Sequence, residues 1–287
     1  MDSRVKPALG AKRAIGRRTW PLLCCALWAC GGTAAEGGKA YGDKARAAYQ
    51  TALLEFYDDD CFEAAPMMRE LRREYPVSRY AALADLRVAD CHFRDGEYAE
   101  AIEAYNHFVR YRRSHVEVPY ARFQVAAAHF EQIPSEWLLS PPRHERDHYH
   151  AEEALRLLRA FKLDFPDDPL LPRAERMAQE AIELLAAHEL YVAKFYADRG
   201  HLRAAIGRLN TLIGSFPGSS KEAEAWLLLG QSYQELGMHA LARAHLDQLV
   251  ARHPNSDEAN EAREQLRSLP AGGVHKDACP VPSGNPT

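Results

Sequence analysis

Apolar and polar positions alternate along much of this chain with the period of an α-helix. One signature recurs four times: an Ala, an aliphatic residue or Met four positions later, another apolar residue after three more, and Pro twelve after the Ala. It reads Ala64/Met68/Leu71/Pro76, Ala154/Leu158/Phe161/Pro166, Ala205/Leu209/Leu212/Pro217 and Ala242/Leu246/Leu249/Pro254. Residues at i, i+4 and i+7 share one helical face, and the proline ends each helix because it lacks an N–H and restricts its predecessor. A fifth unit runs through Gly96-Glu97-Tyr98-Ala99-Glu100-Ala101, with Tyr105 and Phe108 following. Arg113 stands where its proline belongs, so that turn is expected to be remodelled around Pro119. Self-similarity of this kind signals a stacked array rather than one globular core.

The last unit is the most complete. Trp226, Leu229-Gly230, Tyr233, Ala242, Leu246, Leu249 and Pro254 resemble the tetratricopeptide (TPR) repeat position for position. The resemblance implies an all-α fold, a right-handed superhelix of about five TPR helix-turn-helix repeats. Gly230 and Ala242 are small because the two helices of a repeat cross closely there. The expected repeats cover about 43–77, 79–113, 116–166, 170–218 and 221–254, with a capping helix to 268. The third carries an insertion from Pro134 to Arg146, and the fourth opens with a long helix from about Leu171 into Glu189. Gly/Pro-rich composition assigns 30–42 to a flexible tether and 269–287 to a disordered tail.

The start of the chain breaks the pattern. Arg4, Lys6, Lys12, Arg13, Arg17 and Arg18 precede an apolar run from Trp20 to Ala29, with only Asp2 opposing them. A transmembrane helix needs about 20 apolar residues, so residues 1–29 read as an export signal instead. Leu27-Trp28-Ala29-Cys30-Gly31 resembles a bacterial lipobox, which implies acylation of Cys30 as the first mature residue. Cys24 and Cys25 leave open an ordinary secretory signal with coincidental cysteines, and Arg17-Arg18 is a weak twin-arginine feature. Gly31 rather than Asp at the second mature position resembles lipoproteins sent to the outer membrane, on its periplasmic face. Several acyl chains would hold a soluble domain on a membrane without spanning it.

Composition sharpens this division. The chain has 287 residues with Lys+Arg 36 against Asp+Glu 40, a net charge of −4. Removing residues 1–29 takes away six basic residues and one acidic one, leaving 30 against 39, or −9. An acidic array without a basic stripe does not suit nucleic acid. It also makes the lipid the expected link to the membrane, with no further attraction to anionic phospholipid.

Catalytic signatures are absent: the chain has no G-x-S-x-G, P-loop, H-E-x-x-H or Cys-x-x-Cys. His144, His148 and His150 with Asp147 are the nearest approach to a metal cluster. Their setting reads better as a loop feeding a helix, so no metal, no other cofactor and no enzyme is expected. Asp58-Asp59-Asp60 and Asp167-Asp168-Pro169 read as helix-terminus and turn carboxylates. Cys61 opens the second helix of repeat one, and Cys91 lies late in the first helix of repeat two. Antiparallel packing allows a disulfide between them in an oxidising periplasm, and two buried thiols fit equally well.

Lipobox, short tether and five repeats with an insertion in the third resemble the BamD family, the assembly lipoproteins of the β-barrel assembly (BAM) machine. The likeness covers about residues 30–265. It is carried by Glu74-Tyr75-Pro76-Val77-Ser78-Arg79-Tyr80, by Arg146-Asp147 before Ala151 and Ala154, and most specifically by Glu189 through Arg208. It implies a scaffold for folding and inserting outer-membrane proteins. The C-terminal repeats would dock the POTRA domain of a BamA-like partner through Arg208, Arg199, Tyr196 and Glu189, alongside other BAM lipoproteins. The N-terminal repeats would offer a groove to unfolded outer-membrane proteins, with Tyr49, Arg87 and Tyr120 as candidates whose alternative role is ordinary packing. Gly207 replaces a larger residue of the family, and the tail with Cys279 is extra. A competing reading is another periplasmic TPR adaptor, such as a coordinator of cell-wall synthesis with envelope constriction. That family carries a coiled coil before its repeats, for which this sequence leaves no room.

Overall fold

The computed structural model describes residues 33–134, 142, 144 and 146–270. Among them are eleven helices and no strand: α1 (Thr33–Tyr57), α2 (Cys61–Glu74), α3 (Arg79–Arg94), α4 (Tyr98–Tyr111), α5 (Val118–Glu131), α6 (Tyr149–Asp164), α7 (Leu171–Ala197), α8 (Leu202–Ser215), α9 (Glu222–Glu235), α10 (His239–Arg252) and α11 (Asp257–Ser268). Each helix packs against the one before and the one after it, the connectivity of stacked TPR helix pairs. The first helices of successive pairs also touch, α1 with α3, α5 with α7 and α7 with α9, whereas the second helices do not pack comparably. That asymmetry curves the stack into a superhelix with α1, α3, α5, α7 and α9 on its inner, concave side.

The signature residues form the spine of the core. The Ala and both apolar positions of every repeat, including Ala101, Tyr105 and Phe108, are at most 2% exposed. The prolines act one residue earlier: Tyr75, Phe165, Phe216 and His253 end their helices with φ between −124° and −136°, as the steric demand of a following proline favours. Each donates its N–H to the last apolar residue of the signature, Leu71, Phe161, Leu212 and Leu249 respectively.

The turn after α4 departs from expectation. Arg112, with no proline behind it, takes the same conformation (φ −131°) and bonds back to Phe108 O at 2.9 Å. An ion pair from Arg112 Nη2 to Asp85 Oδ2, at 2.9 Å, holds the position that proline sterics hold elsewhere. The helix end is therefore not remodelled, and Pro119 sits in the first turn of α5. The tether is also corrected. Residues 33–42 belong to α1, where Ala34, Ala35 and Ala40 offset three glycines and the Tyr41 ring packs 5.1 Å from that of Tyr75. The signal segment, Cys30, Trp137, Pro141 and the tail with Cys279 lie outside the described residues.

Cys61 and Cys91, both buried, form a disulfide with Cα atoms 5.3 Å apart. Beside it, Arg94 reaches from α3 to Phe56 O at 2.6 Å and to Asp59 at 3.1 Å, fixing the α1–α2 turn in which Asp59 takes φ 64°.

At the α9–α10 crossing, a Cβ on Gly230 would lie 2.6 Å from Leu246 Cδ2, and Leu246 is itself fully buried. We predict that Gly230→Val destabilises by more than about 2 kcal/mol in urea unfolding. Gly207→Ala, where a Cβ meets nothing within 4 Å, should stabilise by about 0.5–1 kcal/mol through helix propensity alone. Equal effects at the two sites would contradict the close crossing.

Candidate partner-binding surfaces

The inner wall of the first three repeats is built around one carboxylate. Asp90 sits in α3 at 4% exposure, one helical turn after Arg87, whose Nη1 lies 2.9 Å from Asp90 Oδ2. Two hydroxyls donate to Asp90 Oδ1, that of Tyr105 from α4 at 2.5 Å and that of Tyr120 from α5 at 2.7 Å. Gln124, one turn beyond Tyr120, donates to both phenol oxygens at 3.4 and 3.3 Å. The Arg87 guanidinium lies over the rings of Phe56 from α1 and Tyr120 from α5, 5.4 and 5.7 Å from their centroids. Four helices thus converge on this one site.

This arrangement is electrostatically taut. Burial, then the Asp90 charge, pushes the Tyr105 and Tyr120 hydroxyls well above the usual tyrosine range. Burial also raises Tyr49, against the opposing pull of Arg87. Burial works against the charge on Arg87, yet the Asp90 carboxylate and the neighbouring phenols together outweigh it and raise the pKa. The three candidates of the groove therefore share one wall: Arg87 and Tyr120 are in contact, and Tyr49, its ring 5.5 Å from that of Tyr80, lies within electrostatic reach of Arg87. Such a wall offers aromatic faces, phenol oxygens and a guanidinium whose position is set from beneath. Those groups suit an extended polypeptide, which brings amides to bond and side chains to stack.

The C-terminal candidates do not form a single cluster. Arg208 on α8 pairs with Glu189 on α7, 3.3 Å away. Arg199 lies ten residues beyond Glu189, roughly 15 Å along the helix direction. It folds back over the Phe195 ring at 3.5 Å and donates to Phe195 O at 3.2 Å. Tyr196 lines a shallow depression with Gly200, His201, Leu202, Arg203 and Leu236. Phe195 and Tyr191 on α7 are exposed, one helical turn apart. This aromatic stripe escaped the sequence reading because its spacing equals that of a core-facing helix.

The histidines disperse. His148 lies against His188 in a tilted arrangement with ring centroids 4.2 Å apart, His150 against His129 at 5.7 Å, and His144 against Tyr191 at 5.0 Å. Asp147 accepts the Tyr149 N–H at 3.1 Å at the start of α6. Among the described residues no group of three or more His, Cys, Asp or Glu is arranged to hold a metal ion. Asp60 accepts the Glu63 N–H at the start of α2, and Asp168 that of Leu170. Asp90, Tyr105 and Gln124 were missed as site residues. The available signal was an aspartate on the apolar face of Ala84-Asp85-Leu86-Arg87-Val88-Ala89-Asp90, where a charge without a partner would be costly.

A family model described as the outer membrane lipoprotein YfiO matches residues 42–249. Relatives named outer membrane protein assembly factor BamD include one from Caulobacter vibrioides, 25% identical and covering 77% of this chain and 70% of that protein. Another, from Neisseria meningitidis serogroup A, is 26% identical, covering 68% of this chain and 73% of its own length. Among solved structures, a thermophilic TPR protein from Thermus thermophilus aligns over 78% of this chain and 97% of its own at TM-score 0.33 and 16% identity. The TPR2AB domain of yeast Sti1 aligns over 79% and 84%, at TM-score 0.38 and 13% identity.

Removing the Asp90 charge tests the wall. Asp90→Asn leaves Arg87 without its buried partner and should cost about 3 kcal/mol. In an ultraviolet pH titration of the native protein, Tyr105 and Tyr120 should stay protonated after the ordinary tyrosines ionise. Their folded-state values lie above the unfolded value of about 10, so their stabilisation is complete below that pH and is lost progressively as pH rises from there through the raised values. The variant should lower both without restoring them, because burial remains. A single uniform tyrosine titration in the native protein would exclude the network.

Proposed function

The chain belongs to the YfiO family of outer membrane lipoproteins, and on that footing we propose a division of labour along its array. It is an outer-membrane protein assembly factor. The inner wall of α1, α3 and α5 receives the unfolded outer-membrane protein as an extended segment. Its phenol and guanidinium groups bond the strand's backbone and its aromatic faces take the alternating side chains. The observation that carries this reading is the convergence of Arg87, Tyr105 and Tyr120 on Asp90, with Phe56 against Arg87 and Gln124 on both phenols. The core of a helix stack does not call for a charge there, and four helices are committed to holding it.

The second surface, α7 and α8, docks the membrane-proximal POTRA domain of a BamA-like barrel protein. Arg199 and Tyr196 stand beside the exposed Tyr191 and Phe195, while the Glu189–Arg208 pair locks α7 to α8 behind them. Other BAM lipoproteins join the same assembly. The protein acts by binding and positioning, without catalysis or cofactor. It sits on the periplasmic face of the outer membrane, held by acyl chains on Cys30. No described helix is long and apolar enough to cross a membrane. The family match speaks against the cell-wall adaptor.

Two experiments test the assignment. Cys30→Ala should release the mature protein into the soluble periplasmic fraction, and retention in outer membranes at high salt would contradict the anchor. Arg199→Glu should lower co-purification of a BamA-like partner about 10-fold. The charge-swapped Glu189→Arg/Arg208→Glu variant, which keeps an α7–α8 pair, should retain it. Undiminished recovery with Arg199→Glu would remove the proposed interface.

A further inference from the structure

We propose that the edge of the array formed by the α2–α3 and α4–α5 turns makes a second, non-covalent contact with an anionic phospholipid surface. The inference rests on the reading that Cys30 carries the lipid. It amends the expectation that the acidic array meets the membrane through its lipid alone.

The chain reaches this edge from its anchored end. Tyr41 packs against Tyr75, the residue that ends α2, so the first turns of α1 project from the side of the stack where the α2–α3 turn lies. Helix rise from Thr33 to Tyr41 amounts to about 12 Å. Three further residues back to Cys30 span at most about 10 Å. Whatever path those residues take, Tyr41, which meets the edge through Tyr75, stays within roughly 22 Å of the acylated residue. The two turns are also side by side, because Asp85 on α3 takes Arg72 from the end of α2 and Arg112 from the end of α4, each at 2.9 Å.

Their chemistry is unlike that of the later turns. Val77, Val116 and Tyr111 are 88%, 82% and 70% exposed. Arg79, Arg110 and Arg113 lie beside them, and neither Arg110 nor Arg113 has an ion-pair or hydrogen-bond partner among the described residues. Residues 72–80 carry three arginines against one glutamate, and residues 110–117 three against one; Asp85 holds Arg72 and Arg112 and Glu70 holds Arg73, so the outward charge rests on Arg79, Arg110 and Arg113. The next turn on the same edge, 162–170, reverses this with one lysine against three aspartates. Where the first turn carries Val77 after its proline, the later ones carry Asp167, Gly218 and Asn255. Helix termination does not require the difference, since all these helix ends share one backbone conformation. The net negative charge of the mature chain conceals it, because the basic turns lie at the anchored end and the acidic one beyond them. Arginines attract anionic headgroups within a Debye length, and small apolar and tyrosine side chains settle at the headgroup level. The contact is weak alone and becomes effective because the anchor holds the edge near the surface. It tips the basic turns toward the membrane, so that the lipid sets the array's distance and the edge its orientation.

The test uses the mature chain carrying Cys30→Ala, co-sedimented at low salt with phosphatidylcholine vesicles, with or without a substantial fraction of phosphatidylglycerol. Binding should favour the anionic vesicles several-fold and fade at high salt. Arg79→Glu/Arg110→Glu/Arg113→Glu should weaken it by at least about 10-fold with the helical circular dichroism unchanged. Arg176→Glu/Arg203→Glu/Arg267→Glu, the same charge change placed elsewhere, should leave most of it. Equal binding to both vesicle types, or equal loss in the two triple variants, would overturn the proposal. No acyl chain takes part, so failure here leaves the lipid anchor standing; the intact mass of Cys30-containing protein from membranes decides that reading separately.

Discussion

The close crossing of helices within and between repeats is the constraint from which the other features follow. A pair of helices of about 14 residues cannot bury its own apolar face, so each face must be covered by the next pair. Close approach needs small residues where the backbones cross, and the fully buried Ala64, Ala101, Ala154, Ala205 and Ala242, with Gly230, supply them. Larger residues one and two turns away, from Met68 and Tyr105 to Leu246, fill the remaining space. Because the first helices of successive pairs approach one another more closely than the second helices do, the stack curves. A concave surface is thus a consequence of packing before it is a device for binding.

Against that background the buried carboxylate on α3 stands out. Most of the spine is apolar, and an aspartate within it must be compensated or neutralised. Here compensation comes from α3 itself and from α4 and α5, with Phe56 of α1 covering the arginine. The disulfide from Cys61 to Cys91 fastens the residue adjacent to Asp90 to the start of α2. The first two repeats are in this way held as one body, and the position of the wall is set by the chain's own contacts. Pre-ordering of that kind lowers the entropic cost of binding a flexible chain. At the other end, the Glu189–Arg208 pair serves a similar purpose, fixing α7 to α8 while Tyr191, Phe195 and Arg199 remain available.

The array was largely legible in the sequence because helix periodicity and proline punctuation are local signals. The turn after α4 was misread for the same reason: Arg112 reaches the pre-proline conformation through an ion pair with Asp85, and that partner is distant in sequence. The tether was misread because Gly37, Gly38 and Gly42 outweigh, in composition, the alanines and the Tyr41–Tyr75 contact that carry α1 back to Thr33. In the candidate groove, Tyr49, Arg87 and Tyr120 were placed on one wall by repeat register alone. Asp90, which organises them, was not singled out, because a spacing rule locates a face and does not say which polar group on it is buried. The wide separation of Arg199 from the Glu189–Arg208 pair was likewise invisible without the length of α7.

The inner wall of α1, α3 and α5 is the surface proposed to receive unfolded outer-membrane protein. The direct measurement is site-specific photo-crosslinking in intact envelopes. A photoreactive phenylalanine analogue is placed at Tyr49 or Gln124 on the wall, and at the exposed Phe62 at the start of α2 as the control. Barrel proteins in transit should be captured from Tyr49 and Gln124 and not from Phe62. Capture from all three positions alike, or from none while assembly proceeds, would contradict it.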